Sequence, residues 1–142
     1  SRTCSGMPTI VGSYAMNFWV ANYEGAGESG ASRDPAKFWR TPNTKGASFA
    51  PLMLDCTWKD IEPEPYDPAP PYNGYMDIGD EELKRACMNR HAWKNNMSFL
   101  DMSVKAIRLK CLWSLDWHKK WADDAFPDGG WPEWMAEQPE CY

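Results

Sequence analysis

Histidine is scarce in this chain, with two in 142 residues, and there is no GxSxG elbow and no cysteine in a catalytic context. Little is left from which to assemble a nucleophilic triad. Cations are also in deficit. Fifteen Lys and Arg against twenty Asp and Glu give a net charge of -5, which argues against nucleic acid as a partner, because phosphate neutralisation needs a surplus of cations on one face. Long apolar runs are missing too. The best stretch, Met7 to Ala21, is broken by Pro8, Gly12, Ser13 and Asn17, short of the roughly 20 apolar residues of a spanning helix. The loop Gly25-Ala-Gly27-Glu-Ser-Gly30 lacks the lysine of a phosphate-cradling motif. A chain that opens on Ser1 reads as processed or trimmed, with no leader to interpret.

Cysteine is present without pattern. Cys4, Cys56, Cys87, Cys111 and Cys141 form no CxxC pair, and an odd number cannot be fully paired within one chain. Two bridges with one free thiol would suit an oxidising compartment, and five buried thiols a reducing one. Cys87 with His91 and Cys111 with His118 would each share a helix face, but neither spacing matches a common zinc finger. No metal or cofactor is expected on these motifs.

What the chain does have is proline, glycine and tryptophan. Prolines 35, 42, 51, 63, 65, 68, 70 and 71 punctuate residues 1–79 and predict a mostly extended or irregular arm. Glu62 to Tyr75 reads as polyproline II and turns. A short helical turn is expected at Asp34 to Arg40, with Asp34 as cap and Pro35 at the first helical position. Tyr14 to Val20 reads as a short buried strand.

Residues 80–121 predict a helical hairpin. Asp80 precedes Glu81 and Glu82 as a cap, and Ser98 with Asp101 resembles a capping box opening the second helix. At about 100° per residue, Leu100, Val104, Ile107, Cys111 and Leu115 form one stripe. Met102, Ala106, Leu109, Trp113 and Trp117 lie opposite, with Trp121 continuing the four-residue spacing. A helix apolar on two faces must be covered twice. The tail 122–142 brings Trp131 and Trp134, which suit a core or an interface equally.

Together these patterns predict one unit of mainly α class, with an irregular arm (1–79), a helical hairpin (80–121) and a tryptophan-rich tail (122–142). The expected function is a non-catalytic accessory or linker subunit of a larger assembly. Its partner-binding residues would be Met102, Leu109, Trp113, Trp117, Trp121, Trp131 and Trp134, and its partners other protein subunits. The expected host is an organellar membrane complex, respiratory or photosynthetic, in mitochondrion or plastid. Basic residues Lys105, Arg108, Lys110, Lys119 and Lys120 among Leu and Trp add contact with a membrane surface. The main rival is a secreted, disulfide-stabilised module whose surface tryptophans hold carbohydrate or another flat ligand. A third reading is a small hydrolase using Asp55, Asp60, Glu62 and Glu64 near Trp58, or Asp123, Asp124 and Asp128 near Trp131.

Overall fold

Side chains over residues 94–99 and again over 104–108 alternate between less and more exposed positions, the period of a strand. A computed structural model describes residues 14–22, 33–75 and 81–141 of the chain. In it Lys94–Phe99 and Val104–Arg108 are consecutive antiparallel strands. Asn95, Met97 and Phe99 point inward, and Lys94 and Asn96 are exposed. We label the strands β1 (Tyr14–Asn17), β2 (Pro51–Asp55), β3 (Asp60–Ile61), β4 (Lys94–Phe99) and β5 (Val104–Arg108). They form one mixed sheet in the order β3-β1-β2-β4-β5, antiparallel except for the β1–β3 pair.

This overturns the mainly α class and the helical hairpin over 80–121. Only short helical segments are present among the described residues, α1 (Leu83–Ala86), α2 (Glu133–Ala136) and three 3-10 segments, the longest the two turns of Leu109–Ser114. The physical reason lies in the polar residues. Asn95, Asn96, Ser98, Asp101 and Ser103 are weak helix formers whose side chains compete for the backbone. Asp101 does so directly. Its carboxylate accepts from Ser103 N–H at 2.9 Å and from the Ser103 hydroxyl at 2.6 Å. Met102 takes φ 65°, and the chain turns where a capping box was expected to start a helix.

The long irregular N-terminal region of the expected class is corrected as well, because β1 and β2 occupy the middle of the sheet. The turn at Pro35–Lys37 does form, with the Asp34 side chain accepting from Ala36 N–H. Residues 62–75 carry no regular element, yet they are held against the body. Cys4, the 25–30 glycine loop and the Asp80 cap lie outside the described residues.

The inner face of the sheet packs Ala15, Leu54, Met97 and Phe99 against a layer of irregular chain rich in tryptophan. Coil carbonyls have no ladder partner and need donors when buried. Six indoles supply them. Trp19 donates to Pro63 O (3.0 Å), Trp39 to Trp117 O (3.0 Å), and Trp113 to Asp67 O (2.8 Å). Trp117 donates to Leu112 O (2.7 Å), Trp121 to Trp113 O (2.8 Å), and Trp134 to Pro70 O (2.7 Å). Each ring therefore fills volume and satisfies a carbonyl at its polar edge, and those of Trp19, Trp39, Trp113 and Trp134 fasten chain that is distant in sequence. Two buried asparagines do the same for the sheet ends. Asn17 donates to Pro51 O and Trp117 O, and Asn95 to Asp55 O and Ala86 O.

Candidate functional site

The expected partner-binding residues divide by position. Leu109, Trp113 and Trp117 are buried in the core. Trp121, Trp131 and Trp134 are half-buried, and Met102 is exposed in the β4–β5 turn. The fold does not gather them on one surface. Nor does it gather the four candidate metal ligands. Cys111 is bonded to Cys141, Cys87 packs its Sγ 3.7 Å from Met135 Sδ, His91 pairs with Asp55, and His118 pairs with Glu64.

The candidate carboxylates are mostly met by cations. A cleft of about 530 Å³ beside Trp19 is faced by Asp34, Glu62, Glu64 and Glu82. Arg33 forks onto Glu62, Lys37 onto Glu64, and Arg85 onto Glu82, while Lys120 reaches Asp34. Burial pushes Glu82 up to about 7, against the pull of Arg85. It also lifts the adjacent Asp67 to about 6, against hydrogen bonds from Glu64 and Leu83 N–H. Burial works to raise Glu64 too, but its bonds to His118 and Lys37 prevail and hold it below the usual carboxylate range. This cleft is an internally neutralised belt that ties the proline-rich segment to the body. Elsewhere Asp60 pairs with Lys59, and Asp124 accepts from the Tyr66 hydroxyl.

A second cleft, of about 490 Å³, has a different character and lies between the start of β4 and α2. Trp93 and Trp134 line it with ring centroids 6.1 Å apart and planes tilted by 33°. Trp93 is held in a strained backbone. Ala92 and Trp93 have φ 50° and 66°, a region that costs a bulky residue about 1–3 kcal/mol. The surroundings enforce it. Trp93 N–H donates to Asn89 Oδ1 at 2.7 Å, Leu109 N–H donates to Trp93 O at 3.0 Å, and Asn73 Oδ1 accepts from Asn89 N–H at 2.8 Å. The result leaves Trp93 40% exposed.

Trp134 is set from the other side. Met135 wedges α2 into the core beside Cys87, and the Trp134 indole is pinned to Pro70 O. Glu133 and Glu137, both exposed, and Gln138, buried, complete the lining. The Gln138 amide nitrogen has no hydrogen-bond partner among the described residues, an uncommon state for a buried amide. The exposed Trp93 ring beside Trp134 and two carboxylate acceptors can stack a flat ring and bond its polar rim. The volume falls within the roughly 300–1,000 Å³ of small-molecule sites.

Of this site, sequence reasoning named only Trp134. Trp93, Glu133, Glu137 and Gln138 went unmarked, because β4 and the tail meet through the fold and no local spacing announces it. Comparison with family models, curated proteins and solved structures finds no match for the chain.

Proposed function

We propose that the protein is a non-catalytic binding module that holds a carbohydrate, or another flat polar ligand, on the exposed side of the Trp93–Trp134 pair. The observation that carries this reading is the strained, doubly anchored Trp93 presenting its ring beside Trp134. Strain of this kind costs stability and persists only where the surroundings over-determine it, and such positions cluster at ligand sites. Glu133 and Glu137 supply acceptors for ring hydroxyls. The Cys111–Cys141 bond supports an oxidising, extracellular setting over an organellar one. Cys56 and Cys87 remain buried thiols, Cys56 pushed up to about 11 and Cys87 raised further by burial.

The test is calorimetric titration with neutral soluble β-glucan and chitin oligosaccharides, alongside tryptophan fluorescence. At least one series should bind and quench, and Trp93→Ala should weaken that binding by about tenfold or more, equivalent to roughly 1.4 kcal/mol. Absence of binding by every series, or binding indifferent to Trp93→Ala, would overturn the reading.

A second reading is favoured by the outer face of the sheet. There Met16, Met53, Ser98 and Val104 form one cross-strand row over four strands, with Tyr14 also exposed. An open apolar row of this kind suits docking on a larger protein assembly. The accessory-subunit function, with an organellar membrane complex as host, is retained on that ground. No helix among the described residues is long and apolar enough to cross a membrane.

A further inference from the structure

The sheet ends at β5, which has one neighbour, β4, among the described residues. The polarity of its backbone follows from the flanking bonds. Phe99 N–H donates to Ser103 O, and Leu109 N–H donates to Trp93 O. The hydrogen-bonded pairs between them are then Met97 with Lys105 and Asn95 with Ile107. Val104, Ala106 and Arg108 consequently turn their N–H and C=O groups away from β4, toward the free edge. Exposed edges of this kind are templates for a further strand.

Two features flank that edge. On the inner side a groove of about 500 Å³ runs beside residues 105–108, walled by Phe49, Phe99, Ile107 and Leu115, with the Lys105 ammonium bonded to Ser48 O over the two phenyl rings. On the outer side Lys94 and Arg108 are directly opposed in a pair that is not hydrogen-bonded, where side chains approach most closely. Like charges so placed repel. Arg108 spends one donor on the Glu140 carbonyl at 3.2 Å, which neutralises nothing. Lys94 makes no hydrogen bond or ion pair among the described residues. In a chain of net charge -5, this is a pair of cations neither of which makes an ion pair among the described residues.

We infer that the β5 edge accepts an extended segment of another protein, with apolar side chains on its inner face and an acidic one opposite Arg108 on its outer face. Such a segment adds as a sixth strand, with main-chain bonds to Val104, Ala106 and Arg108. Because its side chains alternate, the residues that drop into the Phe49–Ile107–Leu115 groove are apolar, and of those on the outer face the one opposite Arg108 is acidic. A second copy of this chain answers the edge hydrogen bonds but brings Arg108 and Lys94 again in place of acids, so charge favours the acidic segment. The inference is independent of the Trp93–Trp134 cleft.

The experiment measures fluorescence anisotropy of a labelled short peptide alternating valine and glutamate, with its valine-lysine counterpart as control. The parent should bind the acidic peptide at least tenfold more tightly than the basic one. Ala106→Pro removes an outward N–H without touching the β4 ladder; it should cost at least tenfold in peptide affinity while leaving sugar titration at the cleft as in the parent. Arg108→Glu should reverse the preference between the two peptides, and it decides the matter alone if Ala106→Pro does not fold. Three results would overturn the inference: no binding of the acidic peptide, binding that neither variant changes, or a parent that light scattering shows to be a dimer made monomeric by Ala106→Pro.

Discussion

The two faces of the sheet are made from the same strands but are stabilised differently. Inward side chains such as Ala15, Leu54, Met97 and Phe99 are covered by coil that tryptophans fasten. Outward ones such as Met16, Met53 and Val104 meet no such layer among the described residues, and Val104 is 76% exposed. Irregular chain can cover a sheet if its carbonyls find donors, and here indole N–H groups provide them at a spacing no ladder requires. The inner face uses its apolar residues for stability and the outer face keeps its own exposed.

The strongest way to break that contrast is to remove one fastener. Trp113 is buried, bonds Asp67 O, and meets the Trp131 ring edge-on at 5.2 Å. Trp113→Ala leaves a cavity and an unbonded carbonyl, with an expected loss of about 3–5 kcal/mol. Urea unfolding followed by circular dichroism would check this. A loss under about 1 kcal/mol would mean the coil layer is held without its tryptophans.

A smaller effect sharpens the polar side of the same layer. Glu82 is lifted by burial to about 7, above its unfolded value, so over the interval between them the folded state binds more protons than the unfolded one. Stability then falls as pH rises through that interval. Glu82→Gln removes this share. By calorimetry the variant's thermal midpoint should exceed the parent's at about pH 8, with the gap closing toward about pH 4. A gap independent of pH would show that Glu82 is not the group responsible.

Some of this architecture was legible in the sequence and some was not. The turn at Asp34-Pro35 was readable because cap and proline act within three residues of one another. The irregular course of 62–75 followed from its prolines. The strands at 94–108 were not read, because Leu100, Val104, Ile107, Cys111 and Leu115 satisfy a helical period, whereas in the fold Val104 and Ile107 fall on opposite faces of β5. The choice depended on Asn95, whose amide bridges β2 and α1, contacts visible only in three dimensions. The abundance of tryptophan was plain, but its use as a set of donors to coil carbonyls depends on pairings across as many as 78 residues. The Trp93–Trp134 cleft was hidden for the same reason.

The smallest expected effect tests the bare face itself. Met53 lies in the middle of the outer row, half exposed, opposite Met16 on β1 and Ser98 on β4. If that face meets only water in the isolated protein, Met53→Lys changes no packing, and its stability in urea should stay within about 0.5 kcal/mol of the parent's. A loss well above that would mean that the protein's own chain covers the row, and the distinction between the faces would collapse. If the stability is unchanged, the same substitution separates the two functional readings. A lysine in the row should reduce the native mass at which the protein is recovered from its source if the face seats an assembly, while sugar binding at Trp93 continues unaltered.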